Sequence, residues 1–293
     1  MSDAKAVYVG DGRLLVQTVW GFHLYCPSRE MSIVPHLALS GSFENELASY
    51  LMTAVKPGDT VIDIGANIGV FTTLLGHLVG SEGQVLAFEP VLENYMFLRD
   101  NVESNWLGQR VSTHRMALGD ANGEIRIKSD PRWGGLSSAM TVDDGTMTMG
   151  VGDDTSHVEQ VDCFVLDDII EGVDDISLVK IDVEGAELRV FRGMLGLLRA
   201  NRVARVVFEC IAPRMKSDWK PFVSLLNGLE NDGWTFSLLG SAGTSPVPAT
   251  VSAIAAHGYL YHVLMEHSTS VSDSEILLQP ALIVGPEDLN SSK

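Results

Sequence analysis

The chain has 293 residues, 45% of them hydrophobic, with a mean hydropathy of +0.14. This excludes fibrous, collagen-like and disordered chains and allows one large or two small domains. With 20 basic and 38 acidic residues the formal net charge is −18, so we expect no nucleic acid or membrane partner. Three scattered cysteines and an N-terminus without an apolar segment predict a soluble cytoplasmic protein.

The N-terminus is predicted to form a small β element. Residues 6–26 are rich in β-branched and aromatic side chains, and turn signals at Gly10–Gly12 and Gly21 divide them into two or three short antiparallel strands. A helix with Ser42 as its N-cap is predicted over 42–55. We assign residues 1–41 to this N-terminal element.

Strands and helices then alternate, which is typical of a parallel sheet covered on both faces. The pattern predicts a doubly wound, Rossmann-like α/β domain over 42–265, followed by a C-terminal tail at 266–293. The predicted strands are 60–64, 84–88, 111–116, 178–181, 203–208, 234–238 and 258–265, and the predicted helices are 70–79, 91–106, 185–199 and 219–232.

The strongest motif is VIDIGANIG at 61–69, where a buried strand runs into a glycine turn and then a helix. Gly65 and Gly69 let the backbone approach a ligand closely, and the helix N-terminus supplies free N–H groups. The spacing differs from the dinucleotide GxGxxG, and Asp63 before the turn suits a ligand with a positive charge and no pyrophosphate. S-adenosylmethionine, with its sulfonium and ammonium groups, is such a ligand. The alternative is a turn that serves only tight strand–helix packing.

A second acid, Glu89, ends the next predicted strand, 24 residues beyond Gly65. In dinucleotide folds an acid at this place accepts both ribose hydroxyls. Pro90 follows at the preferred first position of a helix. Glu89 could instead be an acid that only stabilises the helix dipole. Together with the Asp63 turn, however, it predicts an adenosine site.

These motifs, with ALGD at 117–120, LDD at 166–168, LVKIDVEGAE at 178–187 and FEC at 208–210, resemble the FkbM family of S-adenosylmethionine-dependent methyltransferases. The resemblance covers about residues 43–239. It implies a class I methyltransferase sheet of seven strands with the last strand antiparallel, and methyl transfer to a hydroxyl of a natural product or sugar. It also implies that Asp63, Gly65, Asn67 and Gly69 bind the methionine portion of the cofactor, Glu89 with Pro90 the ribose, Ala117–Asp120 the adenine, and that Glu44, or else Glu46, is the acid near the cofactor entrance.

Further acids are candidates for the chemistry itself. Asp182 ends the predicted fourth strand, where side chains reach the ligand crevice of such folds, so we expect it in the catalytic site. Glu184 and Glu187 follow in the first turn of a helix, where acids also occur without function. Asp182 and Glu209 could share a divalent metal, although nothing in their spacing requires one and we favour metal independence.

An alcohol acceptor must also lose its proton. His36 and His157 lie in segments that could cover the acceptor and are candidate bases, with surface histidines as the alternative.

The long connection 129–160 is poor in large aliphatic side chains, and we expect it to form a lid over the acceptor that excludes water, with a short hairpin in part of it as the alternative. Its Trp133–Ser138 segment and Met140, Met147 and Met149 would then line the acceptor pocket, unless the connection is only a surface loop.

Three hypotheses follow. The leading one is an O-methyltransferase of secondary metabolism, such as antibiotic biosynthesis, with N- or C-methylation of a small molecule as a variant. A dinucleotide oxidoreductase fails on the glycine spacing. A catalytically inactive S-adenosylmethionine-binding scaffold is opposed by the intact acids Asp63, Glu89 and Asp182. The sequence specifies neither the acceptor nor the oligomeric state.

Overall fold

A computed structural model describes residues 5–133, 138–140, 157–170, 173 and 175–267. The N-terminal strands β1 (Ala6–Gly10), β2 (Arg13–Gln17) and β3 (His23–Pro27) form an antiparallel sheet in that order. Helices α1 (Val34–Ser40) and α2 (Asn45–Ala54) follow. The N-cap of α2 is Glu44 and not Ser42, whose hydroxyl instead contacts that of Ser40.

The rest of the described chain alternates between strands and helices. In chain order these are β4 (Thr60–Ile64), α3 (Val70–Leu78), β5 (Gln84–Phe88), α4 (Leu92–Ser104), β6 (Val111–His114), β7 (Ala117–Leu118), β8 (Gly123–Ser129), β9 (Ser138–Met140), β10 (His157–Phe164), α5 (Leu166–Ile169), β11 (Leu178–Ile181), α6 (Glu187–Gly193), α7 (Leu195–Arg199), β12 (Arg205–Ile211), α8 (Ala212–Met215), α9 (Trp219–Asn231), β13 (Trp234–Leu238), β14 (Val247–Ala249), α10 (Val251–His257) and β15 (Tyr259–His267).

The large sheet has the strand order β14-β13-β15-β12-β11-β4-β5-β6. Strands β12, β11, β4, β5 and β6 pair in parallel, whereas β15 is antiparallel to both of its neighbours. The predicted doubly wound α/β class is confirmed, as is the antiparallel last strand. The short edge strand β14 is an eighth strand that the resemblance did not imply.

Alternating side chains of each central strand supply two cores. Val61 on β4 packs with Leu75 of α3 on one face, and Ile62 packs with Phe191 of α6 on the other. Each fully buried aliphatic or aromatic side chain of this kind contributes roughly 1.5–3 kcal/mol. The sheet is therefore fixed from both sides, and its strand ends meet at one edge.

The N-terminal sheet shares one of these cores. Val16, Leu24 and Cys26 are fully buried in the same cluster as Val61. Asn101 of α4 is also fully buried: its side chain accepts from the backbone N–H of Tyr25 (2.6 Å) and donates to the carbonyls of Tyr25 (2.9 Å) and Ile68 (2.8 Å). One amide thus joins β3, α4 and the glycine turn.

A second sheet has the order β7-β10-β8-β9. Residues 157–160 belong to β10, where they pair with β8, and are not part of a free connection. Residues 134–137 and 141–156, on which the lid prediction rests together with Met147 and Met149, lie outside the described residues, as does 268–293 of the tail. None of the helices in the described ranges is long and apolar enough to cross a bilayer.

Candidate active site

A cavity of about 320 Å³ opens at the carboxyl ends of the parallel strands. Ligands of open α/β sheets bind at this edge. Its wall includes an apolar patch, which we define as Val91, Ala117, Ile127 and Cys163, and a carboxylate cluster, defined as Asp182, Glu184 and Glu209. A single cavity therefore offers both an apolar surface and a strongly acidic one.

The glycine turn forms part of this wall. Gly65 has φ +77°, and a Cβ added to it would lie 1.8 Å from the carbonyl oxygen of Asp182, so no side chain fits there. The N–H groups of Gly65 and Ala66 both donate to the carbonyl of Phe88 at 3.0 Å. Asn67, also at positive φ (52°), lines the cavity. These contacts bring the ends of β4, β5 and β11 together.

Gly69 does not line the cavity. It has φ +88°, and a Cβ on it would lie 2.9 Å from Leu98, so its lack of a side chain allows α3 to pack closely on α4. For Gly69, the structure therefore favours the alternative interpretation of the motif, in which the glycine serves close packing.

Glu89 is buried at the cavity wall beside Pro90. Its carboxylate accepts from the backbone N–H groups of Asn67 (2.8 Å) and Val91 (2.9 Å). Burial raises the pKa of Glu89 to about 7, although these hydrogen bonds oppose the shift. The side chain of Asn94 donates a third hydrogen bond to the carboxylate of Glu89. A carboxylate offers about four lone pairs, so about one remains for a ligand hydroxyl.

Asp63 is fully buried and is not among the cavity-lining residues. Its oxygens accept from the hydroxyl of Thr72 (2.6 Å) and from Nζ of Lys180 (3.1 Å). Lys180 does line the cavity, and its Nζ lies 3.7 Å from Asp182 and 3.4 Å from the carbonyl of Gly65. Asp63 therefore reaches the cavity through Lys180 and not by direct contact.

Lys180 was not singled out from the sequence. Burial alone would lower its pKa, but the carboxylates of Asp63 and Asp182 raise it above its ordinary value, so it stays charged. The sequence did contain a signal for Lys180, because it is a lysine within the predicted buried strand 178–181. In the structure all four residues of β11 are buried.

Carboxylate oxygens of the cluster lie within 4.8 Å of one another. Burial raises the pKa values of Asp182, Glu184 and Glu209. Repulsion from Asp182 adds to the shift of the two glutamates, and repulsion from Glu44 adds to that of Asp182. Arg214, which the sequence did not indicate, donates to Glu184 and to Glu209 (2.9 Å). The oxygens could ligate a divalent cation, but Arg214 already places a positive charge on two of the three, so we assign no metal here.

The remaining acids occupy different positions. Glu44 and Asp120 line the cavity, whereas Glu46 is exposed and away from it. Glu187 is also off the wall, and its carboxylate accepts from the backbone N–H of Gly185 at 3.0 Å, a role within its own helix turn. Glu184 and Glu44 both have a left-handed backbone, at φ 55° and 43°.

Neither predicted base reaches the cavity, which corrects that expectation. His36 is exposed on α1, with its ring 6.0 Å from that of Phe43. His157 is exposed at the start of β10 and lines a separate groove against the N-terminal sheet. Both histidine side chains lie on the outer surface of the protein, because α1 and the start of β10 pack at the edge of the fold. The histidine that lies beside the site is His262 of β15, which the sequence gave no reason to choose.

Comparisons with known proteins agree with this arrangement. The profile of the family described as "Methyltransferase FkbM domain" matches residues 63–235, more than half of the chain. The chain is 32% identical over 161 residues to "31-O-demethyl-FK506 methyltransferase FkbM" of Streptomyces tacrolimicus, covering 48% of this chain and 61% of the relative. It is 26% identical over 157 residues to "Hexuronic acid methyltransferase AglP" of Haloferax volcanii, covering 54% and 59%. The chain thus spans about three fifths of the length of these relatives.

Among solved structures, an O-methyltransferase from Bacillus cereus in complex with SAH superposes with a TM-score of 0.43 at 12% identity, covering 76% of this chain and 79% of that one. M. jannaschii TYW2 in complex with AdoMet gives 0.43 at 12%, covering 89% and 87%. From the family match, the chain belongs to the FkbM methyltransferase family.

Proposed function

We propose that this chain is an S-adenosylmethionine-dependent O-methyltransferase that acts on a hydroxyl group of a small-molecule natural product or sugar. The observation that carries the proposal is the cavity wall, which combines the apolar patch, Glu89 and the carboxylate cluster. S-adenosylmethionine has a matching distribution of chemistry: a flat base, a ribose with two hydroxyls, and a sulfonium with an ammonium group.

Each part of the donor then has a suitable partner. The apolar patch covers the base, and the carboxylate of Glu89 accepts from a ribose hydroxyl. Asn67 and Gly65 allow the backbone to approach the methionine portion. The acids of the cluster face the positive charges, which would otherwise be costly to take out of water.

S-adenosylmethionine supplies a methyl group on a positively charged sulfur. The protein must align the acceptor oxygen with this methyl and exclude water. We assign the removal of the acceptor proton to Asp182, because its side chain lines the cavity and is one-third exposed. Burial and the negative charge of Glu44 raise the pKa of Asp182, which makes it a stronger base than an ordinary carboxylate, and Lys180 keeps it ionised.

The name of one relative supports oxygen as the acceptor atom, because it specifies a 31-O-demethyl substrate, so its methyl group goes to an oxygen. The name of another specifies a hexuronic acid, which supports a sugar as the acceptor class.

Calorimetry with S-adenosylmethionine and S-adenosylhomocysteine tests the cofactor. Labelled methyl transfer to a panel of hydroxylated natural products and sugars, with amines as a second panel, tests the reaction. Asp182→Asn should lose transfer to a far greater degree than donor affinity, and exposed Asp232→Asn should behave as the wild type. Product methylated only on nitrogen or carbon would refute O-methylation, and a failure to bind the donor would refute the whole proposal.

A further inference from the structure

Glu44 lies between the N-terminal helices α1 and α2, lines the main cavity and contacts the distant strand β15. It is the N-cap residue of α2, and its left-handed backbone (φ 43°, ψ 63°) is unfavourable for a residue other than glycine. Strained residues of this kind persist where surrounding contacts hold them, and they concentrate at functional sites. Its Oε2 lies 3.1 Å from Nε2 of His262, which is 218 positions away in the sequence.

A β-bulge lies next to His262. Phe208 pairs with Val263 and Cys210 with Leu260, so positions 261 and 262 of β15 lie opposite the single residue Glu209. Bulges beside active sites change the direction of a side chain. Here the side chain of His262 is 13% exposed and lies in a small cavity next to the main one.

This small cavity is rich in charge. Glu44, Lys180, Asp182 and Glu209 line both it and the main cavity, and His262 completes it. The ammonium of Lys180 is already shared between Asp63 (3.1 Å) and Asp182 (3.7 Å), and Arg214 is held by Glu184 and Glu209. The carboxylates of Asp182 and Glu209 repel that of Glu44, and this repulsion would favour a turn of its side chain away from them.

We propose that His262 is a positioning residue that holds the ionised carboxylate of Glu44 at the cavity wall, facing the positively charged part of the methyl donor. This inference rests on the proposed function, because the charge it serves is that of S-adenosylmethionine. With a proton on Nε2, His262 donates to Glu44 and offsets the repulsion from the two neighbouring carboxylates.

The consequence is measurable without an acceptor. S-adenosylmethionine and S-adenosylhomocysteine share their base, ribose, ammonium and carboxylate, and differ in the sulfonium charge and its methyl. A carboxylate held near the sulfur therefore favours the former over the latter. Loss of either member of the Glu44–His262 pair should lower this preference.

Calorimetric Kd values for both ligands would be compared across the wild type, Glu44→Gln, His262→Leu, His262→Gln and the double variant Glu44→Gln/His262→Leu. For Glu44→Gln and His262→Leu we expect the affinity for S-adenosylmethionine to fall by about tenfold or more, because each loses a hydrogen bond to a charged group. The affinity for S-adenosylhomocysteine should fall by less than about threefold. His262→Gln, whose amide can still donate, should stay near the wild type. The double variant should be no worse than Glu44→Gln, because contacting residues that act as a unit are not additive.

His23→Leu, an exposed histidine on β3, is the matched control. The inference is overturned if His262→Leu binds both ligands as the wild type does, if it weakens both equally, if His262→Gln fails to rescue, or if the two substitutions add. A wild type that binds neither ligand would instead refute the proposed function.

Discussion

Replacing Lys180 with methionine should remove a large part of the stability of the fold. Methionine keeps the length of the side chain but removes the ammonium, and Asp63, fully buried, then keeps only the hydroxyl of Thr72 as a partner. At 3.1 Å and an effective dielectric constant of about 20, the lost attraction is roughly 5 kcal/mol, and the second carboxylate at 3.7 Å adds to it. Breaking one side of such a buried pair costs about 3–5 kcal/mol in total.

Urea and thermal unfolding measure this loss directly. A change of about 3–5 kcal/mol corresponds to a decrease in Tm of roughly 6–15 °C for a domain of this size. Exposed Lys220→Met is the control and should change stability by less than about 0.5 kcal/mol. The double variant Lys180→Met/Asp63→Asn should recover at least half of the loss, because it removes the unpaired charge and keeps an acceptor for Thr72. A loss below about 1 kcal/mol in Lys180→Met, or a double variant as unstable as the sum of its parts, would refute the reasoning.

Three further predictions concern the cavity. Affinity for S-adenosylmethionine should fall as the pH falls through about 7, since burial raises the pKa of Glu89 to that value and its ionised form is the stronger acceptor for a ribose hydroxyl; titration calorimetry should show this slope for the wild type and none for Glu89→Gln, and equal slopes would contradict it. Gly65→Ala should abolish donor binding or soluble expression, because its Cβ would lie 1.8 Å from the carbonyl of Asp182, and a normally binding variant would show that the turn can open. Donor affinity and Tm should be unchanged by EDTA or by added Mg²⁺, since Arg214 already neutralises part of the carboxylate cluster, and a Tm that rises with Mg²⁺ would contradict this.

The parallel core could be predicted from the sequence because its signals are local. The runs 60–64, 84–88, 178–181 and 234–238 are short, apolar and bounded by turns, and the structure gives the same bounds. The second sheet was anticipated only as a short hairpin within 129–160, because its strands carry many polar side chains: β10 reads HVEQVDCF, and half of its residues are exposed.

The residues of the site likewise fall into those that the sequence predicts and those that it does not. Glu89 and Asp182 could be placed at strand ends, where the fold itself brings side chains to the cavity. The partners of the acids could not be, because they come from distant parts of the chain: Lys180 is 117 positions from Asp63, and Glu44 is 218 from His262. Long-range pairing of this kind leaves no periodic pattern in the sequence.

The amide of Asn101 limits how the N-terminal sheet can be exchanged between relatives. Three hydrogen bonds from this one side chain satisfy both backbone groups of Tyr25 and the carbonyl of Ile68, next to the glycine turn. A chimera that takes residues 1–30 from another member of the family, with a different register in β3, would keep the bond to Ile68 but lose the two bonds to Tyr25, at a cost of about 1–3 kcal/mol for each unsatisfied group. Exchange of this segment should therefore succeed only when α4 is transferred with it.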